Sequence, residues 1–296
     1  MKSTLTMSKV AIVTGSNKGI GFAIVKGLAK AFSGDVYLTS RNDERGLAAL
    51  KELESEGINV KYHQLDIGDE GSIIKMVTFI KEKYGGIDIL VNNAGIAFKQ
   101  AATEPFAHQA KVTLQTNYFD NKMACEHFFP LLRSGARVVN VSSIAGFLPL
   151  IPGPHLRERL AKSDSTLTVK ELDDLMQDFI DSAQAGNHAE KGWPNSTYVV
   201  SKVGLSSLSR IQQREMDKDM TRSDIVINHV HPGYVATDMS SHKGQLSIEQ
   251  GATAPLFAAL LPPGTDIRGK YLWADCALVD WVNGPKPDHI NGSLGS

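Results

Sequence analysis

The 296-residue sequence predicts an α/β fold, a mostly parallel, doubly wound sheet covered by helices on both faces, with a helical insertion ahead of Tyr198. Two observations carry this. Short β-branched runs alternate with segments of helical periodicity, and the runs are continuously apolar, as strands buried on both faces must be. A glycine-rich turn joins the first run to the first helix, the arrangement of a Rossmann-type unit.

The elements follow in order. Val10-Ala11-Ile12-Val13 is a strand closed by Thr14-Gly15, and Gly19-Ile20-Gly21 opens a helix whose apolar residues Phe22, Ile24, Val25, Leu28 and Ala29 recur at helical spacing. Val36 to Thr39 precedes a charged helix around Glu44 to Glu54, and Val60 to Leu65 precedes one around Ile73 to Lys83. Strands are expected at Ile87 to Val91, Arg137 to Val141, Ile225 to Val230 and Lys270 to Trp273, with helices around Phe106 to Leu132 and Tyr198 to Met220. The connection from Ser143 to Tyr198 is too long for a bare loop. Within it Thr168 and Glu171 form a capping-box pattern, and Leu172, Leu175, Met176, Phe179 and Ile180 make one apolar stripe, expected to pack on the parent domain rather than to face a partner. The organisation expected is one Rossmann-type domain over 1–283, with an insertion at about 147–192 and a flexible tail over 284–296 that is rich in turn formers.

Composition narrows the function. A net charge of -1 leaves no electrostatic footprint for nucleic acid or an anionic membrane, and the two cysteines have no spacing for a zinc site or a disulfide framework. Met1 to Lys9 lacks the apolar stretch of a secretory signal, so the cytosol is expected, with no membrane partner and no metal.

Gly15, Asn17, Lys18, Gly19, Ile20 and Gly21 form the turn that lets backbone N–H groups approach a pyrophosphate at the positive end of a helix. An acidic residue after the second strand binds the ribose hydroxyls of NAD in many such folds, but here the sequence is Thr39-Ser40-Arg41. Arg41, helped by Lys18, suits the 2′-phosphate of NADP, which a carboxylate would repel. Asp66, followed by Ile67, is a candidate acceptor for the adenine amino group, with a helix N-cap as the alternative. Asn92-Asn93-Ala94-Gly95 follows a strand and lies at the carboxyl edge of the sheet, where ligands bind.

Tyr198 and Lys202 are four residues apart, hence on one helix face. A phenol transfers protons poorly near neutral pH unless a cation stabilises the phenolate, so the pair makes chemical sense. Ser143, at a strand end, can polarise a carbonyl.

The glycine turn, Asn92 to Gly95, Asn117, Ser143, Tyr198 and Lys202 together resemble the short-chain dehydrogenase/reductase family, in the same order along nearly the whole chain. That resemblance implies that Ser143 and Tyr198 hold the carbonyl oxygen, that Lys202 binds the nicotinamide ribose and lowers the Tyr198 pKa, and that Asn117 supports a relay water. A narrower likeness, in Asn17-Lys18-Gly19, Ile96-Ala97-Phe98-Lys99, Gly192-Trp193-Pro194 and the insertion, is to the family's cytosolic NADPH-dependent carbonyl reductases. It implies a small-molecule carbonyl substrate, broad range, and a monomer. Pro232-Gly233 resembles the segment holding the nicotinamide amide, giving Val235 and Thr237 as contacts, although mammalian members carry cysteines at Val230 and His231. His231 is expected to be a solvated loop residue, and Ile144, Trp193, Tyr234 and Met239 to be pocket walls. The alternatives are an alcohol or steroid dehydrogenase of narrow specificity and a non-catalytic NADP-binding sensor.

Overall fold

A computed structural model describes residues 8–99 and 101–287, so the tail expected over 284–296 lies outside the described residues from Asp288 onward. The chain runs β1 (Val10–Val13), α1 (Gly19–Ala31), β2 (Asp35–Ser40), α2 (Asp43–Ser55), β3 (Lys61–Gln64), α3 (Glu70–Tyr84) and β4 (Ile87–Asn92). Next come α4 (Phe106–Leu114), a π-helical turn (Gln115–Asp120), α5 (Asn121–Phe128), β5 (Leu132–Val141), α6 (Pro154–Ala161) and α7 (Val169–Ala185). The last elements are α8 (Thr197–Met216), β6 (Val226–Val230), α9 (Ile248–Gly251), α10 (Thr253–Ala259), β7 (Tyr271–Leu272) and β8 (Leu278–Val279).

The strands form one eight-stranded sheet in the order β3-β2-β1-β4-β5-β6-β7-β8. Pairing is parallel throughout except between β7 and β8. All four residues of β1 are fully buried, which is why the strand is apolar on both faces. The order reverses between β1 and β4, and a crevice for ligands opens at the carboxyl ends of strands on either side of such a switch point.

Three apolar clusters bind the layers. One packs α1, α2 and α10 on one sheet face, a second packs α3 and α5 on the other, and a third joins α4, α7 and α8. The third contains the insertion. Thr168 and Glu171 make the reciprocal capping box at the start of α7, and Gly186, at φ 73, ends it. Leu172, Leu175, Met176 and Phe179 are buried and Ile180 packs beside them, so the stripe is consumed within the domain. The insertion closes on itself: the Gly153 N–H donates to the Gly192 carbonyl at 2.9 Å, and a Cβ on Gly153 would lie 2.9 Å from the Gly192 Cα.

Some boundaries differ from the sequence expectation. The helix expected to reach Leu132 stops at Phe128, because Pro130 enters a 3₁₀ turn over Phe129–Leu131. The strand β8 and the short helices α9 and α10 were not anticipated, and β7 takes only Tyr271–Leu272 of the strand expected over Lys270 to Trp273; α10 carries Pro255 within it. The Ser247–Gln250 capping box was the available signal for α9.

Candidate active site

The cofactor-type crevice is built by close backbone approach. Gly15 and Gly19 adopt φ of 59 and 60, the left-handed region that glycine enters without penalty. A Cβ on Gly15 would stand 2.9 Å from the Ala94 Cα, and one on Gly21 would strike the Asn93 amide and stand 2.8 Å from the Ser16 Cα. Asn93 braces the turn: its Nδ2 donates to the carbonyls of Thr14 at 3.0 Å and Gly15 at 2.9 Å. The buried Thr14 hydroxyl accepts the N–H groups of Asn93 and Ala94, both at 3.0 Å. Among the described residues no side chain caps the first turn of α1, so Lys18, at its N-cap, precedes N–H groups left open to an anion.

Around this turn stand the other expected contacts. Asn17 lies in the turn itself, and Ile20 packs against the first apolar cluster. Thr237 lies over Gly19, its Cγ2 3.4 Å from where a Cβ would be, and Val235 is buried against Gly251. Arg41 is exposed just past β2 and makes no ion pair among the described residues. Lys18 instead pairs with Asp238 at 2.5 Å, both largely exposed. An uncapped helix start flanked by Lys18 and Arg41 fits a phosphate-bearing dinucleotide. The Asp66 carboxylate accepts the Gly68 N–H at 3.0 Å, whereas α3 is capped by Asp69; the alternative that Asp66 is the N-cap is corrected. Ile67 turns its side chain into the core.

The chemical groups converge at the ends of β5 and α8. Ser143 stands two residues past β5, and its Oγ accepts the Ala145 N–H at 3.2 Å. Tyr198 is the second residue of α8, which Ser196 caps. Burial raises the Tyr198 phenol above its ordinary pKa, and a hydrogen bond with the Ser143 hydroxyl pulls it partly back. One turn along, the Lys202 Nζ sits 5.7 Å from the Tyr198 ring centre and donates to the Val141 carbonyl at 2.9 Å. Burial brings this ammonium from 10.5 down to about 8. Asn117 occupies the π-helical turn, where its Oδ1 accepts the Ile96 N–H at 2.8 Å and its Nδ2 donates to the Ile96 carbonyl at 2.9 Å and the Ser201 hydroxyl at 3.0 Å. Ser201 in turn donates to the Tyr198 carbonyl at 2.9 Å. Gly95 keeps the space between Asn117 and Lys202 clear, since a Cβ there would lie 3.1 Å from Asn117 Oδ1 and 3.6 Å from Lys202 Nζ.

Two expectations fail. Trp193 is 1% exposed, its indole N–H bonded to Asp178 at 2.9 Å and its ring against Phe179, so it belongs to the core of the insertion and is no pocket wall. His231 is also 1% exposed, and its Nδ1 accepts the Ile144 N–H at 2.9 Å; it is not a solvated loop residue. Ile144 is partly buried, and Tyr234 and Met239 are exposed, with the Met239 sulfur 3.8 Å from the Tyr198 hydroxyl. Sequence reasoning missed the braces Thr14 and Ser201. It also missed Tyr271, whose hydroxyl donates to the Ser143 carbonyl at 2.5 Å; a tyrosine in a two-residue strand gives no sequence signal of such a contact.

Residues 9–155 match the family described as short chain dehydrogenase. Carbonyl reductase [NADPH] 1 of Rattus norvegicus is 45% identical over 258 residues, 87% of this chain and 92% of that protein. Carbonyl reductase [NADPH] 3 of Mus musculus is 45% identical over 276 residues, 93% of this chain and 99% of that one. Among solved structures, salutaridine reductase from Papaver somniferum superposes with a TM-score of 0.79 at 29% identity, covering 90% of this chain and all of that one. The chain belongs to the short-chain dehydrogenase/reductase family.

Proposed function

We propose that this chain is an NADPH-dependent carbonyl reductase that converts quinones, ketones and aldehydes to alcohols. The observation that carries the reading is the meeting of Ser143, Tyr198 and Lys202 at the carboxyl edge of the sheet, beside the uncapped start of α1. Both relatives are by name NADPH-dependent carbonyl reductases, which supports the substrate class and the cofactor.

Bound NADPH supplies the hydride for the carbonyl carbon. The chain does the rest. Gly15, Asn17, Gly19, Ile20 and Gly21 would receive the pyrophosphate on backbone N–H groups, and Arg41 with Lys18, now paired with Asp238, would take the 2′-phosphate. Asp66 and Ile67 would border the adenine and Val235 and Thr237 would take the nicotinamide amide, while Asn93 holds the turn. Ser143 Oγ and the Tyr198 hydroxyl both donate to the substrate oxygen, and the Tyr198 proton passes to it as negative charge develops. Lys202, close under the Tyr198 ring, lowers the cost of the phenolate left behind. Asn117 spends both amide N–H groups on Ile96 and Ser201, so a relay water finds only the second lone pair of Oδ1 on this side chain.

Three coarser parts of the reading go with it. The insertion lays α7 across α4 and α8, which supports a monomer. Free Cys125 and Cys276 support a reducing compartment, hence the cytosol. One sheet spanning β1 to β8 supports a single domain over 1–283, with 147–192 as its insertion. Among the described residues no helix is long and apolar enough to cross a membrane.

The test follows the loss of NADPH near-ultraviolet absorbance with a quinone, an aromatic aldehyde and a panel of ketones and steroids. Broad turnover is expected, and Tyr198→Phe should lower kcat by about 1,000-fold or more while NADPH Kd stays unchanged. Wild-type turnover in that variant removes Tyr198 from the mechanism. Tight NADPH binding with no turnover of any carbonyl compound would favour a sensor, and turnover confined to one alcohol–ketone pair a narrow dehydrogenase.

A further inference from the structure

The short segment that carries Ser143 is held from behind by three buried side chains in or just past the last strands of the sheet. Tyr271 in β7 donates its hydroxyl to the Ser143 carbonyl at 2.5 Å. His231, one residue past β6, accepts the Ile144 N–H on Nδ1 at 2.9 Å. Trp281, past β8, donates its indole N–H to the Gly146 carbonyl at 2.6 Å. Each is 1% exposed, so none reaches substrate.

We propose that His231 is the positioning residue for Ser143, with Tyr271 and Trp281 as the second and third fixed points; this rests on the role given to Ser143 above. The Ile144 N–H needs an acceptor, and the same Nδ1 also receives the Gly233 N–H at 3.3 Å. Two donors aimed at one ring nitrogen require that nitrogen to be unprotonated, which puts the proton of the neutral imidazole on Nε2. The ring is fixed by its edge-on contact with Trp273, 4.4 Å between centres. One atom thereby joins the Ser143 loop to the loop that leads to Val235 and Thr237. Burial, with the Tyr198 phenol nearby, keeps Tyr271 far above the ordinary tyrosine pKa, so it remains a donor to the Ser143 carbonyl throughout the working range.

The experiment compares His231→Asn, whose Oδ1 supplies an acceptor near the position of Nδ1, with His231→Phe, which fills the space without one. In His231→Phe kcat should fall by about 10- to 100-fold, with the KM for the carbonyl substrate changed less than about 3-fold. His231→Asn should recover kcat to within about 3-fold of wild type. Nitrogen NMR of the histidine-labelled full chain should give the pyridine-type signal for Nδ1 of His231, assigned by its loss in His231→Asn, and this readout is independent of catalysis. A protonated Nδ1, wild-type kcat in a folded His231→Phe, or equal loss in both variants overturns the proposal. If His231→Phe does not fold, the His231→Asn kinetics and the NMR signal still decide. A Ser143→Ala variant with wild-type rate, beside the expected NMR signal, would locate the failure in the role of Ser143 and not in the tautomer of His231.

Discussion

Lys202 holds an ammonium where water barely reaches it, and the fold should be more stable without it. Replacing it by Met keeps the packing of the stem and removes the charge. Burial takes this group from 10.5 to about 8, and at ~1.4 kcal/mol per pKa unit this costs the folded state about 3 kcal/mol near neutral pH. The substitution also strips the Val141 carbonyl of its donor, a loss of about 1 kcal/mol. A net gain of about 2 kcal/mol remains, or roughly 4–8 °C in Tm for a chain of this size. The sign follows from a folded pKa below the unfolded one. Stability from this group is fully present above 10.5 and is lost as pH falls through about 8. The Lys202→Met advantage should therefore be full near pH 7 and shrink below ~1 kcal/mol by about pH 10. Calorimetry of the nucleotide-free protein across this range measures it, with activity lost in parallel. A variant that melts at or below wild type at pH 7, or a gap independent of pH, would refute the claim that function is maintained here against stability.

Two further outcomes test other parts of the molecule. Arg41→Asp should weaken NADPH by about 100-fold while NADH changes by less than about 3-fold, read by fluorescence titration of each nucleotide; equal weakening would show that Arg41 does not read the 2′-phosphate. Phe179→Ala empties a fully buried position in the seam between α7, α4 and α8, and should cost about 3–5 kcal/mol in denaturant unfolding; a loss below about 1 kcal/mol would mean the insertion is not part of the core.

The sheet was legible because its physics is local: strands buried on both faces must be apolar, and a chain that turns from strand to helix against a neighbouring backbone needs glycine. The runs at Val10 and Ile87 and the turn from Gly15 to Gly21 therefore announced themselves. Gly95 and Asn117 were legible only as members of an ordered set, since nothing at Asn117 alone tells a π-helical brace from an ordinary helix residue. What escaped was non-local. His231 stands one residue beyond a strand in a Pro-Gly loop, where histidines are commonly solvated, and it is the distant chain at Ile144 and Trp273 that packs against it. Trp193 lies three residues before a helix cap, yet Asp178, 15 residues back in α7, draws its indole inward. Asp66 and Asp69 offer the same side chain to the same turn, and backbone geometry alone gives the cap to Asp69.

The contact between Gly153 and Gly192 has a consequence for where α8 begins. Because the chain leaves and returns at a single point, the segment between the two glycines is clasped at its base, while α7 within it is anchored separately on α4 and α8. The clasp holds the chain four residues ahead of the Ser196 cap, so the start of α8 is fixed from this side as well as by its own packing. The approach to Tyr198 is thereby pinned by backbone alone, at a point that asks nothing of any side chain.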